Sequence, residues 1–163
     1  MKLGKLFTDQ CGEQAASIIS RAPFISQEIW KQRSPRDRQC RQRVCQGLFV
    51  EDQDLSNVPR FKPGQQIPVT IRVQIPHGGK AQLVLMDVNA QQPFQSQGEI
   101  VVLQDLGANF GNPRQPRVQT FSVQVPPDLS PACDQPGKCA ISFRWQVRRT
   151  EKYDICSLMT IGE

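Results

Sequence analysis

Among side chains that do chemistry near neutral pH, this chain uses cysteine freely and histidine once. Its six cysteines are Cys11, Cys40, Cys45, Cys133, Cys139 and Cys156, and His77 is its only histidine. A zinc site draws on CxxC pairs or several histidines, and neither is present, so the set reads as a disulfide framework from an oxidising compartment. Cys133 and Cys139 flank the loop Asp-Gln-Pro-Gly-Lys and are placed to close it locally. Cys11, Cys40 and Cys45 fall in the first third of the chain, which a bridge to Cys156 would tie to the last strand. Six cysteines permit many pairings; the expected set is Cys11–Cys40, Cys45–Cys156 and Cys133–Cys139.

His77 stands on the turn Pro76-His77-Gly78-Gly79. A serine–histidine–carboxylate triad would have to use it, yet no Gly-x-Ser-x-Gly elbow accompanies it. No glycine-rich phosphate loop precedes a helix, and no dense carboxylate cluster suits magnesium or calcium. Taken alone, a histidine on such a turn is more often a turn residue than a catalyst.

The elements that would position these residues are mostly strands. Ile67-Pro-Val69-Thr-Ile71-Arg-Val73-Gln-Ile75 alternates strictly, which puts apolar side chains on one face. Pro68 suits an edge strand. Ala81–Val88 reads as the hairpin partner of that strand, across the His77 turn. Further strands are expected over 99–106, 118–125, 140–148 and 155–161, and Lys62-Pro63-Gly64-Gln65 reads as a turn. Residues 13–31 hold the only helix expected, limited by Pro23, and 32–65 look irregular. Short strands with turn-rich joints point to one domain, 1–163, folded as an all-β, immunoglobulin- or fibronectin-like antiparallel sandwich. Its amino-terminal third would carry the short helix and long disulfide-stapled loops.

The 163 residues carry 20 Lys and Arg against 15 Asp and Glu, a net charge of +5. The densest basic stretch runs from Lys31 to Arg43, interrupted by Pro35. Without interleaved aromatics or a recognition helix it argues against nucleic acid and for a solvated loop. As a contact surface it would favour an anionic glycan over neutral cellulose or chitin. No apolar run is long enough to cross a bilayer. No signal peptide is visible in the first 20 residues, so the cysteines are what suggest export, and a monomer is the default. Trp30 and Trp145 are expected to be semi-buried.

The order of motifs resembles that of small fungal members of the lytic polysaccharide monooxygenase superfamily, often labelled chitin-binding type-4 domains. The motifs are Cys11-Gly-Glu-Gln14, Cys45-Gln-Gly47, Phe61-Lys-Pro-Gly-Gln-Gln-Ile-Pro68 and Ile75-Pro-His-Gly-Gly79. They continue with Phe121-Ser-Val-Gln-Val-Pro-Pro-Asp-Leu129, Cys139-Ala-Ile-Ser-Phe-Arg-Trp145 and Glu151-Lys-Tyr-Asp-Ile-Cys156. The resemblance implies a secreted oxidoreductase with copper in a histidine brace, cleaving a polysaccharide oxidatively. It implies His77 as the second histidine, Tyr153 as the axial aromatic and Glu151 as the carboxylate beside the oxygen-binding position. A spacing of two gives Glu151 and Tyr153 one side-chain direction on an extended segment.

The chain departs from this pattern at its start. It begins Met1-Lys2-Leu3 and has no histidine before His77: either Met1 replaces or displaces the natural terminus, or a histidine precedes it, or the α-amine of Met1 stands in for the missing histidine. The alternative function is a catalytically inactive secreted module of the same fold that binds glycan, copper or a partner protein.

Overall fold

The computed structural model describes residues 3–34 and 38–162, the side chains at 38, 39 and 130 aside. Met1, read above as a copper ligand through its amine, lies outside the described residues, as do positions 35–37 of the basic stretch.

Among the described residues short α-helices come first: α1 (Lys5–Cys11), α2 (Glu13–Arg21), α3 (Gln27–Gln32) and α4 (Arg38–Gln42). Ten strands follow: β1 (Arg60–Phe61), β2 (Gln66–Arg72), β3 (Gly79–Asp87), β4 (Gln92–Pro93), β5 (Gln95–Ser96), β6 (Glu99–Ile100), β7 (Val102–Phe110), β8 (Val118–Gln124), β9 (Cys139–Arg148) and β10 (Glu151–Ile161). The larger sheet runs β1-β10-β9-β3, with β7 and β4 sharing the far edge of β3. Its pairings are antiparallel except β1 with β10, which is parallel. The second layer is the ribbon of β2 and β8, and β5 and β6 form a small separate hairpin. The fold is an all-β sandwich.

The strand periodicity makes the core. On the inner face Ala81, Leu83 and Leu85 of β3 pack with Ile67 and Ile71 of β2, Val123 of β8 and Phe110 of β7. β3 is also buried on its other face, where Val84, Met86 and Val88 meet Leu48 and Cys45 of the amino-terminal third. That two-sided burial explains why β3 is a central strand. It also corrects the expected hairpin: β2 pairs with β8, and β3 pairs with β9 and β7. Residues 73–78 cross between layers, carrying His77 over the end of the sandwich. β2 pairs only with β8, so the ladder proton that Pro68 lacks is missing from an edge strand.

The helical third is richer than its sequence suggests, which is a second correction. Gly4 precedes α1, and the first-turn amides of Leu6 and Phe7 donate to the Asp52 carboxylate at 3.1 and 2.9 Å. A carboxylate there also offsets the positive end of the helix. Glu13 opens α2 and Arg21 closes it, each on the favourable end, while Ala15 and Ile19 bury one face. Trp30 on α3 is fully buried against Phe7 and donates its indole N–H to Gln46 at 2.9 Å. Trp145 is buried too, so neither tryptophan is semi-buried.

All three expected disulfides are present: Cys11–Cys40, Cys45–Cys156 and Cys133–Cys139. The first lies within the helical third, the second staples that third to β10, and the third closes the loop before β9. No described helix is long and apolar enough to cross a membrane.

Candidate functional site

The site begins with the register of the large sheet. Ala81 on β3, Trp145 on β9 and Tyr153 on β10 are direct cross-strand partners, so they form one row on the inner face. Alternation then places Glu151 on the same side as Tyr153. A bulge at Glu151/Lys152 ends the ladder there and turns the strand end, as bulges at sheet ends do.

His77 reaches this row from the crossing between β2 and β3. Its ring lies 4.9 Å from Trp145 and 6.4 Å from Tyr153, centroid to centroid, and Trp145 lies 5.3 Å from Tyr153. Its Nε2 stands 3.4 Å from Glu151 Oε1, with both side chains partly exposed, at 30% and 23%. Tyr153 donates its hydroxyl to the same carboxylate oxygen at 2.9 Å. Arg148 brings Nε to within 3.8 Å of the other oxygen. The structure therefore brings together His77, Glu151 and Tyr153, which are 74 or more positions apart on the histidine side.

Close approach makes the glycines next to His77 necessary. A Cβ on Gly79 would fall 2.5 Å from the Gln146 carbonyl and 2.8 Å from Trp145 Nε1. One on Gly78 would collide with the Asn109 side chain, and one on Gly111, where φ is 76°, would lie 2.8 Å from the Trp145 ring. These contacts hold Trp145 under the histidine.

Tyr153 is pushed up to about 12, first by burial and then by its hydrogen bond to the Glu151 carboxylate. The phenol is thus a firmly protonated donor to Glu151. Two buried polar atoms at the site, His77 Nδ1 and Trp145 Nε1, have no hydrogen-bond partner. Buried groups without a protein partner are uncommon in native structures.

An apolar groove of about 590 Å³ opens between the β2 edge and the inner face of β9 and β10, with His77 and Tyr153 among its lining. Phe61, Ile71, Phe143 and Ile155 also line it. The two-stranded ribbon is too narrow to cover the whole inner face of the larger sheet, which leaves this opening.

No protein-family model matches the chain, and no curated protein matches it. Among solved structures it is similar to an AA10 lytic polysaccharide monooxygenase from Streptomyces lividans, at 14% identity and a TM-score of 0.42. The match covers 74% of this chain and 73% of that one. A likeness at this level carries no conclusion about chemistry, which rests on the side chains just described.

Those side chains test what metal they can hold. Copper in a histidine brace needs an amine and two imidazoles, because nitrogen donors suit its preferred planar geometry. His77 supplies one imidazole, with a carboxylate and a phenol beside it, and the chain contains no second histidine. The described residues by themselves fall short of that donor set. Elsewhere Cys45, Asp154 and Cys156 cluster at metal-binding distances, but the two sulfurs are bonded to each other and offer no thiolate. Asp154 accepts instead from the buried Ser142 hydroxyl.

One feature had no signal in the linear sequence: Trp145 as the floor of the site. Only the register that places it opposite Tyr153 and the glycines that crowd it reveal that role.

Proposed function

We propose that this chain is a secreted, polysaccharide-directed module of lytic polysaccharide monooxygenase type, whose working face is the sandwich end bearing His77, Glu151 and Tyr153. The observation that carries this reading is the convergence of those three side chains at a partly exposed point above Trp145. It agrees with the motif order of the sequence, in which the same three residues hold the corresponding places.

Copper would need a second imidazole beside His77 before it could supply oxygen activation, and the described residues do not offer one. What the protein's own groups do can be stated from the structure. Tyr153 donates to Glu151 Oε1 and holds that oxygen in place. Glu151 faces His77 Nε2 and is the group able to accept or return a proton there. Arg148 steadies the second carboxylate oxygen, and Trp145 shuts water out from beneath the imidazole.

A second reading has its own support. With one imidazole among the donors, the same face would serve as a binding surface without oxidative turnover. Protein from a secreting host, its amino terminus read by mass spectrometry, separates the two. Sub-micromolar copper affinity that is lost in His77→Ala, with oxidised oligosaccharide products, supports the oxidative module. Polysaccharide binding with neither copper affinity nor products leaves the binding module. Absence of both binding and products overturns the proposal.

A further inference from the structure

Three segments far apart in sequence meet around His77. The end of β2 and the start of β3 (72–80), the β7–β8 connection (111–118) and the tip of the β9–β10 hairpin (144–152) share one end of the sandwich. Backbone contacts join them: Val73 N–H donates to Arg117 C=O at 2.7 Å, Gly79 pairs with Phe110 next to Gly111, and Lys80 pairs with Gln146. The carbonyl of His77 and the ring of Trp145 both face Gly111.

These segments carry Arg72, Lys80, Arg114, Arg117, Arg144, Arg148, Arg149 and Lys152, and one acid, Glu151. In the rest of the chain acids outnumber bases. All eight cationic side chains are exposed. Among the described residues, the one ion pair any of them makes is Arg148 with Glu151. Three more acids lie nearby and accept hydrogen bonds from neutral donors. Asp154 is buried and accepts from Ser142, Glu28 accepts from the Lys152 amide at 3.0 Å, and Asp105 accepts from Gln82 and the Gly107 amide.

On the outer face the register spaces the charges. Lys80 and Lys152 both pair with Gln146, so they flank one row of the sheet about 10 Å apart. Arg144 lies about 7 Å from that row, one repeat along β9. A polar hollow of about 220 Å³ lies there, lined by these three cations with Gln27, Gln82, Gln146, Trp145, Tyr153 and one acid, the buried Asp154, which is the cross-strand partner of Arg144. Arg148 and Arg149 carry the positive surface over the hairpin tip to His77.

We infer that the polysaccharide this face takes is anionic, bearing uronate carboxylates or sulfate esters, and that it runs across the hairpin tip from the Lys80–Arg144–Lys152 hollow to His77. The polysaccharide class rests on the function proposed above; the sign of its charge rests on the eight side chains. Arginine suits such a ligand because its planar fork pairs two donors with a carboxylate or sulfate. Beneath His77 the Trp145 ring is buried, so its face is closed to a nucleic-acid base.

Binding of metal-free protein to polygalacturonate, heparin, chitin and single-stranded DNA, measured by calorimetry at two ionic strengths, tests this without requiring turnover. The expected result is tighter binding to polygalacturonate or heparin than to chitin, weakened by salt. The triple variant Arg114→Gln, Arg117→Gln, Arg148→Gln should weaken it roughly tenfold, from the loss of three exposed ionic contacts. Lys62→Gln, at the opposite end of β2, should leave it unchanged, and unaltered melting would show that each variant folds. Chitin bound as tightly and without salt dependence, DNA bound as tightly as either glycan, or an unaffected triple variant would each overturn the inference. Because the metal-free protein is used, failure of the copper chemistry would not register here.

Discussion

Tyr153 gives its hydroxyl proton to the Glu151 oxygen that also faces His77 Nε2, so one carboxylate oxygen joins the tyrosine to the histidine. Tyr153 is the only tyrosine and His77 the only histidine, which makes both directly observable.

The phenolate absorbance of the protein therefore reports Tyr153 alone, with an expected midpoint near 12. Since the folded value is raised, this group stabilises the fold fully below its ordinary pKa near 10, and that contribution fades as pH rises toward 12. In Glu151→Gln the midpoint should fall but stay above the ordinary value, because burial, the larger cause, persists. A midpoint unmoved by that change would separate the two residues.

Gly79→Ala should loosen the floor of the site. Its new methyl meets the Gln146 carbonyl and the Trp145 indole nitrogen, an overpacking that costs about 1–3 kcal/mol. Thermal melting reads the cost, and tryptophan fluorescence reads the displacement of Trp145. An unchanged melting temperature would contradict the packing described.

The disulfides should not contribute equally. In the chain-entropy picture the Cys45–Cys156 bridge, with a separation of 111, constrains the unfolded chain far more than Cys133–Cys139, with a separation of 6. Replacing the first pair by alanine should cost about 4–5 kcal/mol and the second about 2 kcal/mol. Denaturant titration of the two double variants checks the order.

Asp52→Ala should uncap α1 by removing the acceptor of the Leu6 and Phe7 amides, a loss of about 1 kcal/mol. Hydrogen exchange at those two amides should quicken before the strands are affected. Equal protection in both proteins would place the cap elsewhere.

The strands were legible because their alternation is local: 67–75, 121–125 and 141–147 each show a period of two within a single run. Pairing was harder to read. Two strands joined by a turn resemble a hairpin, and only the burial of β3 on both faces shows that it needs two other neighbours. The helices were obscured because each spans nine residues or fewer, below the length at which propensity alone sustains one. α1 depends on a carboxylate more than forty positions away.

His77, Glu151 and Tyr153 were singled out as candidates through the order of motifs around them. The basic end was missed for the opposite reason. The densest charge in the sequence lies at 31–43, whereas the eight cations at this end of the sandwich come from three segments that each look ordinary.

The most direct test of the central claim is a ¹H–¹⁵N spectrum of the metal-free protein during titration with an oligosaccharide it binds. The account predicts that shifts concentrate on the His77 ring and on the amides of 76–79, 111–117 and 148–153. Binding that leaves these signals unmoved and perturbs another face would contradict it.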